Sequence, residues 1–147
     1  MVELRRHRRR LAVVGVAAAA LLVAVLSAKA LDSDDACQAP GAAPPAETAL
    51  MPGGLSFDQI GTVTRVRKAE RHVMVQAVTT KPIDEVTVLI QDAVTAAGYR
   101  PAGMDNEGFE AEVFFTTGSY AAGQARVRWA GCEGRWNIDL VLLDRDA

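Results

Sequence analysis

The sequence is poor in the side chains that most enzymes use for catalysis. Among 147 residues there are two histidines and two cysteines, and His7 lies in the arginine-rich start. His72 is therefore the only histidine in the rest of the chain, so no imidazole pair is available for a metal site. The chain also has no G-x-S-x-G, H-E-x-x-H, C-x-x-C or glycine-rich phosphate loop. We expect no catalytic residue, no cofactor and no metal ligand, and we expect His72 on the surface of a strand.

Basic residues are scarce outside the first ten positions. Five arginines stand in residues 1–10, whereas residues 32–147 carry 10 lysines and arginines against 17 carboxylates. An acidic body without a basic stripe argues against binding to nucleic acid. The sequence therefore predicts no nucleic-acid partner.

Long apolar runs are limited to one. Residues 11–28, LAVVGVAAAALLVAVLSA, contain no charge and follow the arginine cluster. As a helix this run is about 27 Å long, close to the thickness of a bilayer core, and the arginines favour a cytoplasmic N-terminus. We predict a transmembrane signal anchor over 11–31 after a basic cytoplasmic tail over 1–10. The alternative is a signal peptide cleaved at Ala30, because the AKA triplet at residues 28–30 suits a signal peptidase.

Large apolar residues are nearly absent from the next segment. Residues 32–54 are rich in proline and alanine, which predicts a solvated linker. Regular apolar periodicity starts near Leu55, so we predict an extracytoplasmic domain over 55–147.

The domain begins with two strands and a helix. Residues 62–67 and 71–79 read as strands, and in the second strand Val73, Val75 and Ala77 share one face. A helix is predicted after Pro82, with Gly98 just beyond its end. Its apolar stripe runs through the following residues: Ile83, Val86, Ile90, Val94 and Ala97.

The last 40 residues predict an antiparallel meander. The first two strands can pair in the register in which the numbers of facing residues add up to 238. Glu112 then faces Arg126 and Ala111 faces Val127, while Phe109 faces Trp129. If the numbers of facing residues in the next hairpin add up to 265, Trp129 faces Trp136. Apolar residues then share one face and charges share the other, and a slip by one residue would reverse both.

Three groups of residues in this region resemble functional sites. The charged group is Glu110, Glu112, Arg126, Arg128 and Asp139, which we interpret as a solvated sheet face rather than an active site. The acidic stretch MDNEGFEAE lacks the ligand spacing of a calcium loop and is predicted to turn. Trp129 and Trp136 are predicted to lie in the core.

The two cysteines are Cys37, just after the apolar run, and Cys132, between Gly131 and Gly134 in a predicted hairpin turn. Both fall in the part predicted to be exported, where disulfides form. We predict a Cys37–Cys132 bond with the turn sulfur accessible. Free thiols and an intermolecular bridge are the alternatives.

The chain resembles small membrane-anchored extracytoplasmic proteins of actinobacterial type. The resemblance rests on the arginine-rich start, the Ala/Val-rich span, and the stretches DDACQAP, MPGGLSFD, AAGYRP, EAEVFF and GCEGRWNIDLVLL. It implies the membrane anchor and the disulfide, and it implies no activity.

Together these patterns predict an α+β protein. We expect an N-terminal transmembrane helix, then one helix packed on an antiparallel sheet of four or five strands in the order β-β-α-β-β-β. The expected function is a non-catalytic binding or protein-interaction domain at the cell envelope, outside the cytoplasm, with the membrane and an envelope protein or ligand as partners. The alternatives are a small exported hydrolase and a secreted binding module. Enzymatic activity stays open.

Overall fold

The computed structural model describes residues 37–117 and 120–143. The described residues from Ala39 to Leu143 belong to one compact unit. The basic tail and the transmembrane helix predicted for residues 1–31 lie outside the described residues and stay predictions. Within the described part of the chain, no helix has the length and apolarity needed to cross a bilayer.

Among its described residues the compact unit is α+β, with two helices and six strands. The helices are α1 (Pro45–Thr48) and α2 (Ile83–Ala96). The strands are β1 (Thr62–Ala69), β2 (His72–Thr79), β3 (Arg100–Asn106), β4 (Glu110–Thr117), β5 (Tyr120–Trp129) and β6 (Trp136–Leu143).

All six strands form one antiparallel sheet in the order β1-β2-β6-β5-β4-β3. The α+β class and the antiparallel sheet are confirmed, but the predicted count of four or five strands is wrong. The additional strand is β3, in which every residue is exposed. It contains Pro101 and a register shift before Gly103, so its sequence shows no alternation of apolar and polar residues.

The helix α2 buries the stripe that the sequence predicts. Ile83, Val86, Ile90 and Val94 are buried, and Gly98 takes a φ of 84° just past the helix end. The helix contacts β3, β4 and β5.

The loop before β1 is fixed to the sheet by a hydrogen bond, because the hydroxyl of Thr79 on β2 donates to the carbonyl of Ile60 at 2.6 Å. Leu55, Phe57 and Ile60 from that loop complete the same core.

The meander has the predicted register. Glu112 is the direct neighbour of Arg126, and Trp129 of Trp136. The predicted Phe109–Trp129 pair is wrong, because β4 begins at Glu110 and Phe109 is 65% exposed. Trp129 is also 60% exposed, so it is not the core residue we expected. Its indole donates instead to the carbonyl of Cys132 at 3.0 Å, whereas Trp136 does pack against the core.

The segment predicted as a linker makes contacts with the edge strand β1. The backbone N–H of Ala43 donates to the carbonyl of Val63 at 2.8 Å. In α1, the carboxylate of Glu47 accepts from the N–H of Val66 at 3.0 Å. Met51 then packs against the core. This part of the chain therefore covers the outer edge of β1.

Candidate interaction face of the sheet

The sheet has one buried face and one face that is open to solvent except beside Val78, Asn137 and Arg128, where Pro40 borders it. The buried face carries apolar side chains that are at most 2% exposed. They include Val66, Val73, Val75, Ala77, Ala111, Val113, Phe115, Ala125, Val127, Ile138, Leu140 and Leu142. Residues alternating with these point to the other side, because successive side chains of a strand leave opposite faces. No helix among the described residues covers that second side.

The open face is organised in rows that run across the strands, because each residue lies beside its partner on the next strand. One row is polar on all six strands, and we call it the polar row. From β1 to β3 it comprises Arg65, Gln76, Asp139, Arg126, Glu112 and Asp105. The adjacent row is partly apolar, and we call it the mixed row. It comprises Arg67, Met74, Val141, Gln124, Phe114 and Gly103.

The middle of the polar row is held by ion pairs. The Nε of Arg126 donates to Glu112 at 2.8 Å and lies 3.0 Å from Glu110. Hydrogen bonding to Glu112, together with its negative charge, raises the pKa of the Arg126 guanidinium. Arg128 pairs with Asp139 at 2.7 Å, and Asp139 also accepts from Gln76 at 3.0 Å. The charged group is thus a sheet face, as the sequence predicts, and its charges are compensated locally.

The two ends of the polar row carry side chains of opposite charge that make no ion pair with another described residue. At the β1 edge, Arg65 and Arg67 make no ion pair with any other described residue. At the β3 edge the same holds for Asp105, which borders a hollow lined by Glu107, Glu110, Glu112 and Arg126. No cluster suited to a metal ion occurs within the described ranges. The polar row is therefore basic at the β1 edge and acidic at the β3 edge.

The mixed row contributes an apolar hollow. Its walls are formed by His72, Phe114, Gln124, Val141 and Leu143, with a cavity volume of about 380 Å³. Phe114 is 38% exposed, which leaves an aromatic ring at the surface. His72 is exposed on its strand, as predicted. None of the described residues lining this hollow is a carboxylate, so His72 is not grouped there with the acids that a hydrolase site would use.

Cys37 and Cys132 form the disulfide bond predicted from the sequence. Neither is a free thiol. The turn that presents Cys132 has Gly131 at φ 80° and Gly134 at φ 66°. Positive φ values of this kind favour glycine. The prediction of an accessible sulfur is wrong, since Cys132 is only 7% exposed.

Sequence reasoning found the centre of the open face but missed its ends. Asp105 was missed because β3 was not recognised as a strand. Arg65 and Arg67 alternate with Val66 in the printed sequence, and this alternation was the available signal. Comparison with known proteins adds no assignment, because no protein-family model, curated protein or solved structure matches the chain.

Proposed function

We propose that this protein is a single-pass, membrane-anchored, extracytoplasmic binding or protein-interaction domain of the cell envelope, without catalytic activity. The open face of the sheet is its binding surface. The membrane is one partner, through the N-terminal helix, and a protein or ligand of the envelope is the other. The sequence supports the anchor and the export of the domain, and the open face supports the binding role.

The observation that carries the proposal is the composition of the open face. Met74, Val141 and Leu143 are half-buried and Phe114 is exposed, although the opposite face of the same sheet already supplies the core. An apolar centre with a polar surround is typical of protein-interaction surfaces. The charge difference between the β1 and β3 edges adds a means of orienting the partner.

A small exported hydrolase is the competing function. A cleft that gathers His72 with two carboxylates would favour it, because a histidine and acids in reach of one substrate can transfer protons. In the described structure His72 instead lines the apolar hollow with Phe114 and Val141. The binding role therefore fits the surroundings of His72 better.

The test is photo-crosslinking in intact cells from the full chain. Phe114 is replaced by p-benzoylphenylalanine, which places a photoreactive ring on the open face. The matched control carries the same group at Val88, which is 53% exposed on α2. We expect a discrete crosslinked product from position 114 and none from position 88. Equal products from both positions, or none from either, would contradict the proposed binding surface.

The mass of the chain recovered from the membrane fraction separates the anchored protein from the secreted alternative. Retention of residues 1–30 is expected for a signal anchor. A chain that begins at Leu31 would instead favour the secreted binding module.

A further inference from the structure

We propose that the open face binds a second copy of this chain, so that the protein forms a two-fold dimer with the two sheets face to face. This inference rests on the proposed function and names the partner of the same surface. Two features of the described residues carry it: the opposite charges at the two ends of the polar row, and the position of the apolar side chains between them.

In the proposed dimer the two-fold axis runs parallel to the strands. It lies above the open face, between β6 and β5, and it reverses the order of the strands in the second copy. β1 then lies over β3 of the other copy, β2 over β4, and β6 over β5. Face-to-face sheets keep their strands within about 30° of each other, so this alignment is a normal sheet packing. Because the interface is isologous, every contact occurs twice.

In this arrangement the polar row is complementary to itself. Arg65 of one copy lies over Asp105 of the other, and Asp139 lies over Arg126. Gln76 lies over Glu112, to which an amide can donate. The two end charges that lack a partner within the described chain thus receive one from the second copy.

The mixed row matches in the same way. Met74 lies over Phe114 of the other copy, and Val141 lies over Gln124. Contact between a methionine sulfur and an aromatic ring is favourable. Arg67 lies over Gly103, where the absence of a side chain leaves room for a guanidinium. Met74 and Phe114 therefore cover each other in both halves of the interface, whereas Val141 meets the side chain of Gln124.

The size of the face is sufficient for a weak dimer. Six strands about 4.8 Å apart span about 29 Å. The polar row, the mixed row and the adjoining row that contains His72 and Leu143 together extend about 20 Å along the strands, which gives about 600 Å² per copy. Two copies bury about 1,200 Å², the lower limit for specific interfaces. We therefore expect a reversible dimer.

Pairing of sheet edges is a weaker route to a dimer. Ala43 and Glu47 already occupy hydrogen-bonding groups on the outer edge of β1. The other edge, β3, contains Pro101, which has no N–H, and an irregular register next to it. Such features protect edges from pairing with another chain.

Charge exchange tests the dimer in the full chain, with sedimentation equilibrium in density-matched detergent as the measurement. Arg65→Glu and Asp105→Arg each create two repulsive contacts in the proposed dimer, so each should raise the apparent dissociation constant about tenfold or more. An equimolar mixture of the two variants should recover a dimer within about threefold of the unmodified affinity. The reason is that the carboxylate introduced at position 65 attracts the guanidinium introduced at position 105 across the interface.

The control is Asp92→Arg on α2, which changes the charge by the same amount as Asp105→Arg and should leave dimerisation unchanged. Far-UV circular dichroism and the intact disulfide confirm that each variant is folded.

Only the recovery of the dimer in the mixture of the two variants supports the proposed geometry. A monomeric full chain, a dimer insensitive to both changes, or a loss that mixing does not reverse would each overturn it. The crosslink from position 114 separates this inference from the proposed function. A product that contains two copies supports both, a product with another protein supports only the proposed function, and no product contradicts both.

Discussion

At the scale of single residues, Gly123 is the position where the sheet depends most on the lack of a side chain. It has a φ of 154°, and a Cβ built on it would lie 2.1 Å from the carbonyl oxygen of Val141. That oxygen belongs to the backbone of β6, which cannot move aside without disturbing its pairing with β2 and β5. β5 therefore needs glycine at this point.

We expect Gly123→Ala to lower the free energy of unfolding by about 2 to 4 kcal/mol, from backbone strain and overpacking combined. Urea denaturation of the full chain measures this loss. Gly103→Ala is the matched control, because its Cβ would meet only the ring of Phe114 at 3.9 Å. It should change stability by no more than about 0.5 kcal/mol. Equal losses in both variants would contradict the role assigned to Gly123.

Arg126 illustrates the electrostatics of the open face at the same scale. Its hydrogen bond to Glu112 raises its pKa, so the guanidinium is charged at every pH near neutrality. Because the pKa is raised, the charged guanidinium stabilises the fold at every pH below the pKa of arginine in the unfolded chain. This stabilisation is lost only as the pH rises through the pKa of Arg126 in the folded chain. Deprotonation of Arg126 therefore contributes no change in stability between about pH 5 and pH 9.

At the scale of elements, the sequence predicts those strands and helices that have one buried and one exposed side. β4, β5, β6 and α2 show this periodicity, and their register and buried stripe are confirmed. β3 could not be found in this way, because an edge strand exposed along its whole length needs no apolar side chains. The contact of Glu47 with β1 was equally hidden, since it joins residues 19 positions apart through a side chain and a backbone N–H.

That contact leads to a prediction about the edge of the sheet. Glu47→Ala leaves the N–H of Val66 without its acceptor, so hydrogen exchange at this amide should become about tenfold faster or more. The N–H of Ala43, held by Val63 beside it, should also exchange faster. Glu47→Gln keeps a carbonyl oxygen as acceptor and should preserve most of the protection. The amide of Val75 in β2 is the internal reference, and equal acceleration there would indicate global unfolding instead of local release.

At the scale of the whole molecule, the candidate site could be predicted only in part. Its central ion pairs follow from the alternation within β4 and β5, which are neighbours in sequence. The polar row as a whole depends on the order of all six strands, and this places Arg65 at the opposite edge of the sheet from Asp105. Such an order arises from packing of the complete chain around the core, which local periodicity does not encode.

The disulfide also acts on the whole molecule. The bond between Cys37 and Cys132 closes a loop of roughly 95 residues, which restricts the unfolded chain far more than the folded one. Loss of this bond should lower the free energy of unfolding by up to about 4 to 5 kcal/mol in each of three variants: Cys37→Ser, Cys132→Ser and the double variant. The three losses should agree closely, because each variant removes the same bond. A double variant as stable as the unmodified chain would show that the loop contributes nothing.

The redox state of the two cysteines in cells then tests the predicted export. Disulfides persist outside the cytoplasm, whereas cytosolic thiols are kept reduced. Cells lysed in denaturant with a large maleimide reagent should therefore yield a chain without added mass, and prior reduction should add two labels. Cys132→Ser is the control, since it should take one label at Cys37 without reduction. Two labels on the unreduced full chain would place the cysteines in a reducing compartment and contradict the extracytoplasmic location.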